Sequence, residues 1–189
     1  MDFGKLIERV KNILLTPKTE WPVIAAESDT VAGLYTRYIL IMAAIPAIGM
    51  ILGTLGVGLV LAVVTYAITL GVIFVVSLIV NALASTFDGQ KDPVAALKVV
   101  TYASTPGWVA GILNAIPVLG GVLAFIAGLY GIYLLYLGLS PVMKNPPEKS
   151  IGYTALIVVC YIVLMVVVMG VFMSLFFGAM MGGAMMLGR

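Results

Sequence analysis

Asp92-Pro93-Val94-Ala95-Ala96-Leu97-Lys98 opens the stretch that decides the fold. It continues through Val99-Val100-Thr101-Tyr102-Ala103-Ser104-Thr105-Pro106-Gly107-Trp108 and runs to Met143 without another charge. That run is too long for one helix across a bilayer and suits two, at ~20 residues per span. Ala115-Ile116-Pro117-Val118-Leu119-Gly120-Gly121 supplies the turn between them. Asp92 is an N-cap candidate with proline at the first helical position. Pro106 then falls near the middle of the first of the two spans, beside the hydroxyls of Ser104 and Thr105.

Working outward, the same charge-gap reading covers the whole chain. Hydrophobic residues make up 62% and charged residues 10%, against about 25% charged in a soluble domain. The chain is therefore expected to be an all-α integral membrane protein. The gap between Arg37 and Asp88 holds two more spans, joined by a hinge at Gly53, Gly56 and Gly58. Asn145-Pro146-Pro147-Glu148, a cap with an acid three residues on, opens the last. Five transmembrane helices are expected, at about 31–53, 57–86, 93–117, 120–141 and 150–177. A cytosolic segment over 1–30 precedes them, and a Gly/Met-rich external tail over 178–189, loosely ordered, follows.

Residues Phe3, Leu6, Ile7, Val10, Ile13 and Leu14 recur at helical spacing, with Asp2, Lys5, Glu8, Arg9 and Lys11 on the other face. This predicts an amphipathic helix that lies in the membrane interface or packs on the protein's own loops. Thr16-Pro17 stops it, and Trp21 is placed as an interfacial anchor. Met1 to Lys18 lacks a continuous apolar core and a cleavage site, so the first span is expected to act as an uncleaved anchor. Of the ten Lys and Arg residues, all but Arg189 lie on one side if the N-terminus is cytosolic. The positive-inside rule then sets that orientation, with the C-terminus external.

The chain has no histidine and one cysteine, Cys160. That removes histidine-based acid–base catalysis, zinc sites and disulfides. No catalytic residue, cofactor, metal or nucleic-acid partner is expected. Four tail methionines, Met180, Met181, Met185 and Met186, are soft sulfur ligands, but no His or Cys stands beside them.

The candidate intramembrane site is Pro46, Tyr102, Ser104, Thr105, Pro106, Trp108 and Asn114. Pro106 cannot donate to the Tyr102 carbonyl, and Pro46 does the same to Met42. A carbonyl freed in lipid needs a hydroxyl or a neighbouring helix, which Ser104 or Thr105 is near enough to supply. The site is expected at a helix contact inside the bundle, near Pro46. It reads either as a packing kink or as a broken helix that binds a ligand, as in transporters. Asn81 and Asn114 read as helix glue or as end-of-span amides. Tyr130, Tyr133 and Tyr136 form an aromatic stripe. Small residues at four-residue spacing (Gly49 and Gly53; Gly120, Ala124 and Gly128; Gly178 and Gly182) permit close helix contact and point to a possible homo-oligomer.

In order and spacing these features resemble a known family. Thr16-Pro17-Lys18-Thr19-Glu20-Trp21-Pro22-Val23-Ile24 is similar to the entry motif of prokaryotic members of the Yip (Ypt-interacting-protein) domain family. Phe87-Asp88-Gly89, Tyr102-Ala103-Ser104-Thr105-Pro106, Ile116-Pro117-Val118-Leu119-Gly120, and Tyr130 through Tyr136-Leu137-Gly138-Leu139 are similar to its centre. The likeness runs from about Phe3 to Met169. It implies five spans, a cytosolic N-terminus and residence in the prokaryotic cytoplasmic membrane. Eukaryotic relatives bind Rab-type GTPases and partner Yip-like proteins in vesicle traffic. The short segment here lacks the longer eukaryotic arm with its acidic stretch, which counts against GTPase binding. The expected role is non-catalytic: organising membrane lipids or related membrane proteins. The alternative is a small transporter or lipid conduit through the two proline-broken spans.

Overall fold

A computed structural model describes residues 3–116 and 118–187, with 119, 176, 177 and 179–187 as backbone only. The described residues are mostly helical, and no strand occurs among them. The order is α1 (Phe3–Leu15), α2 (Pro17–Ala26), α3 (Val31–Leu34), α4 (Leu40–Gly53), α5 (Leu59–Leu83), α6 (Pro93–Ala103), α7 (Thr105–Ala110), α8 (Leu119–Met143) and α9 (Ser150–Leu187). A π-turn, Tyr35–Ile39, joins α3 to α4, so the two run as one span, Val31–Gly53. Short 3-10 turns cover Ala84–Phe87, Gly111–Ala115 and Pro147–Lys149.

Among the described residues, four helices are long and apolar enough to cross a membrane: Val31–Gly53, Leu59–Phe87, Gly120–Met143 and Pro147–Leu175. The third expected span is not one helix. Ser104 closes α6, Pro106 lies in the first turn of α7, and Gly111–Ala115 continues as a 3-10 turn. The clash of Pro106 with its preceding turn is thus relieved by ending a helix and starting another. The start of this segment follows the sequence closely. Asp92 accepts hydrogen bonds from the Val94 and Ala95 amides at 2.8 and 3.0 Å.

Two expectations at the ends need correction. Residues 178–187 do not form a loose tail, because α9 continues as helix to Leu187. Pro117 and Arg189 lie outside the described residues, as do the side chains of Met180, Met181, Met185 and Met186. Asn145 does not accept as a cap. Its Nδ2 donates to the Pro146 carbonyl and to Ser150 Oγ, at 3.0 and 2.9 Å.

The bundle has two unlike ends. One, the charged end, gathers Asp88, Lys91, Asp92, Lys144, Glu148 and Lys149, with Lys149 paired to Asp88. The other, the glycine end, holds the turns around Gly56 (φ +86°) and Gly120. Gly56 takes a left-handed backbone that few other residues adopt without strain. The buried core fills the half nearer the charged end: Leu97, Val99, Tyr102, Leu134, Leu139, Met143, Tyr153, Val80 and Ala84 are nearly inaccessible. Toward the glycine end the helices spread, and Leu55, Val60, Phe125, Val166 and Leu175 are exposed. An apolar surface of this extent is expected where the solvent is hydrocarbon.

Several small residues meet the chain's own backbone. A Cβ on Gly53 would lie 2.8 Å from the Asn114 carbonyl oxygen, and one on Gly111 2.5 Å from Pro46 Cγ. Gly49 and Gly120 are equally crowded, whereas Gly128 and Gly178 face open space.

Candidate functional site

The break between α6 and α7 separates an aromatic node on one side from an apolar cavity on the other. Tyr38, Tyr102, Thr105 and Trp21 build the node, and all four are almost completely buried. The Tyr38 and Tyr102 rings meet edge to face with centroids 4.8 Å apart, and Trp21 meets Tyr102 likewise at 6.4 Å. Trp108 tilts against Tyr38 at 6.4 Å. Thr105 Oγ1 shares a 2.9 Å hydrogen bond with the Tyr38 hydroxyl, satisfying two buried polar groups at once.

The N-terminal segment closes this node. Contrary to the interfacial expectation, Trp21 is 1% exposed. Its ring lies against Gly138, where a Cβ would sit 2.6 Å from it. Only glycine admits that approach. Residues 17–26 form α2, packed on α8. The apolar stripe of α1 is divided: Leu6 and Ile13 are buried, Val10 and Leu14 half-buried, Phe3 and Ile7 exposed. Helix α1 thus packs on the protein with one edge turned out, and Tyr130 ties down its end by donating to the Leu14 carbonyl at 2.7 Å.

Charged side chains lock the hairpin. Arg9, 8% exposed, pairs with both Glu20 and Glu27 and lies 5.7 Å over the Tyr102 ring. Lys98, also buried, donates to the Ile24 carbonyl at 3.0 Å and to that of Glu27. The sequence signal was faint: Arg9 sits on the edge of the apolar stripe of α1, and Glu20 precedes Trp21. A buried ion pair is costly to break because one charge is left uncompensated.

On the other side of the break lies a cavity of about 570 Å³ between α5, α8 and α9. Pro46, Ser104, Gly107 and Trp108 form its inner wall, and Val72, Phe125, Ile162 and Met165 its outer one. Its lining carries no ionisable side chain other than Tyr161. The Ser104 hydroxyl donates to the Val100 carbonyl at 2.8 Å and so serves neither the cavity nor the Tyr102 carbonyl. Thr105 is turned away, toward Tyr38. Neither hydroxyl repairs the Tyr102 carbonyl, as the sequence had led one to expect.

The expected site residues are therefore partly united. Pro46, Ser104 and Trp108 share the cavity; Tyr102, Thr105 and Trp108 share the node; Pro106 is buried between them. Gly111 lies directly against Pro46. Asn114 stands apart, exposed in the 3-10 turn, on a smaller cavity of about 210 Å³ that Pro46 and Tyr66 also line. Asn81 is half-buried in α5, and its Oδ1 has no partner within the described protein. No group of His, Cys, Asp and Glu side chains among the described residues could hold a metal ion.

Comparison with known proteins agrees with this architecture. Over 157 residues the chain is 26% identical to an Inner membrane protein YohC of Escherichia coli K12, covering 74% of this chain and 80% of that one. The YohC protein of Escherichia coli O6:H1 gives the same values. No solved structure matches. Residues 11–169 match the Yip1 domain. That span takes in α2, the buried Trp21, the broken segment with its node and cavity, and most of α9, and the chain belongs to the Yip1 domain family.

Proposed function

We propose that this is a non-catalytic protein that crosses the prokaryotic cytoplasmic membrane five times and organises protein partners or the bilayer at its cytosolic face. Such a role is of the kind membrane trafficking requires. The fifth crossing is the broken segment. From Thr105, level with Tyr38, it runs alongside α4, passing Pro46 at Gly111 and reaching Gly53 at Asn114 and Ala115. It so covers the same depth as α4 in the same direction. The charged end is then cytosolic, together with the N-terminus, because Lys91, Lys144 and Lys149 lie there and no described lysine or arginine lies at the glycine end, and the C-terminus is external.

The observation that carries the functional reading is the docked α1–α2 hairpin. Trp21, Arg9 and Lys98 hold it rigidly on the bundle, while Phe3, Ile7, Leu15 and Val23 remain exposed on its outer side. A fixed, outward apolar edge among cations fits a partner or a membrane surface better than a catalytic pocket. A homo-oligomer would have Gly128 and Gly178 open for close contact, since Gly49, Gly53 and Gly120 already face the chain's own backbone. In liposomes the purified protein should move no ion or polar solute above the protein-free rate. Cross-linking from position 3 or 7 in native membranes should join it to a defined membrane protein or to lipid. A solute flux abolished by Gly107→Leu would refute this reading.

The cavity favours a second reading, a lipid conduit. Its size falls within the range of ligand pockets, and its lining suits an acyl chain. Coupled transport of ions or charged solutes normally needs intramembrane charges, and the cavity wall supplies none. Scrambling of labelled phospholipid without polar-solute flux would support this second reading.

A further inference from the structure

The two faces of the bundle carry charge at different depths. On α5, the Tyr35 hydroxyl donates to the Leu70 carbonyl, and the Tyr66 hydroxyl to that of Leu40, at 2.9 and 3.0 Å. Arg37 is therefore level with the middle of α5, whose apolar run extends from Leu59 to Leu83. On α8 the same holds for the α1–α2 turn. Tyr130 binds the Leu14 carbonyl, and Gly131 approaches Ala103 so closely that a Cβ would lie 2.9 Å from its carbonyl oxygen. Tyr130 is near the midpoint of Leu119–Met143. Lys11 and Lys18, flanking that turn, are exposed, and Arg37, paired with Asp29, keeps 48% of its side chain exposed.

The opposite face is different. Tyr153 donates to the Val80 carbonyl, which brings Val163, ten residues farther along α9, about level with Leu70. There the surface is Phe74, Val75, Val159, Ile162, Val163 and Val166, all exposed and apolar. One flat boundary cannot serve both faces. A boundary at the level of Arg37 would leave only about 24 Å of helix from there to Gly53, short of the ~30 Å of hydrocarbon. It would also strip lipid from Phe74 and Val159. A boundary at the charged end would sink three exposed cations by about 20 Å, at 1.5 Å per residue from Leu70 to Leu83.

We infer that the leaflet at the charged end dips along the α1–α3 side, so that phospholipid headgroups reach Lys11, Lys18 and the Arg37–Asp29 pair at half the depth of the bundle. The exposed cations match the lipid phosphate in charge. Hydroxyls of Thr16, Thr19 and Thr36 at the same level are exposed as well. A short polar-flanked span thins the bilayer around it, and long cationic side chains reach toward the interface. The Arg37 guanidinium does so by bonding back to the Gly33 carbonyl at 3.2 Å. That the dipping leaflet is the cytosolic one rests on the topology proposed above.

Single cysteines test this in a Cys160→Ala background, reconstituted in phosphatidylethanolamine–phosphatidylglycerol vesicles. An anionic, membrane-impermeant maleimide should label Lys11→Cys, Lys18→Cys and Arg37→Cys roughly tenfold or more faster than Val163→Cys, because hydrocarbon excludes the charged reagent. A fluorophore at those three positions should be quenched by headgroup-nitroxide lipid more than by mid-chain nitroxide lipid, and the reverse should hold at Val163→Cys. Protection of the three equal to that of Val163→Cys would overturn the inference. Fast labelling without headgroup quenching would also overturn it, since the surface would then face water or protein. Labelling only from the opposite side of the membrane would refute the topology while leaving the difference between faces measured.

Discussion

Replacing Gly138 by alanine puts one methyl group where the Trp21 ring lies, with three of its carbons 2.6 to 2.7 Å from the new Cβ. Trp21 is 1% exposed and is wedged between Tyr102 and α8, so the ring cannot swing away. The strain must move α2 off α8 or bend α8, an overpacking cost of about 1–3 kcal/mol. Alanine is also the better helix former, by about 1 kcal/mol in a helix interior, so the net expectation is a loss of up to about 2 kcal/mol. Trp21→Ala alone removes the ring and should cost about 3–5 kcal/mol. In the double variant the clash is gone, so Gly138→Ala should become neutral or stabilising. Unfolding of the purified protein by graded denaturing detergent, followed by circular dichroism, gives all four corners of the cycle. Simple additivity of the two substitutions would refute the docking of Trp21 on Gly138 and, with it, the hairpin as part of the bundle.

Thr105→Val should cost about 1–2 kcal/mol by leaving the Tyr38 hydroxyl unpaired in a buried site, while Thr105→Ser should restore most of it in the same unfolding assay. Glu20→Gln should cost about 3 kcal/mol, at the low end for a broken buried pair because Glu27 still faces Arg9. Asp88→Asn, which breaks the exposed pair with Lys149, should cost at most about 1 kcal/mol. Gly111→Ala should destabilise by about 1–3 kcal/mol through its clash with Pro46. Gly107→Ala, whose methyl points into open space on the cavity, should be neutral or slightly stabilising.

What the sequence made legible followed from two strong penalties. A charge in hydrocarbon and an unpaired backbone group in hydrocarbon are both expensive, so the gaps between charges trace the long helices to within a few residues. Asp92-Pro93 was readable because capping and the fixed φ of proline are local effects. The break at Ser104 was not, because whether a proline kinks a helix or divides it depends on neighbours. Here α8 and the N-terminal hairpin flank the divided segment, and nothing in residues 102–108 announces that. Trp21 misled for a related reason: an aromatic beside a span looks the same whether it faces headgroups or protein. The notch at Gly138 that receives it is over a hundred residues away. Arg9 was invisible as a buried ion because its two acids belong to another helix.

In the proposed topology the broken segment around Pro106 completes a fifth crossing, so that the two termini lie on opposite sides of the membrane. Topology reporters fused after Asp88, after Lys144 and after Arg189 test it most directly. Cytosolic readings are expected at the first two positions and an external reading at the third. A cytosolic reading after Arg189, with the N-terminus also cytosolic, would contradict it and leave four crossings.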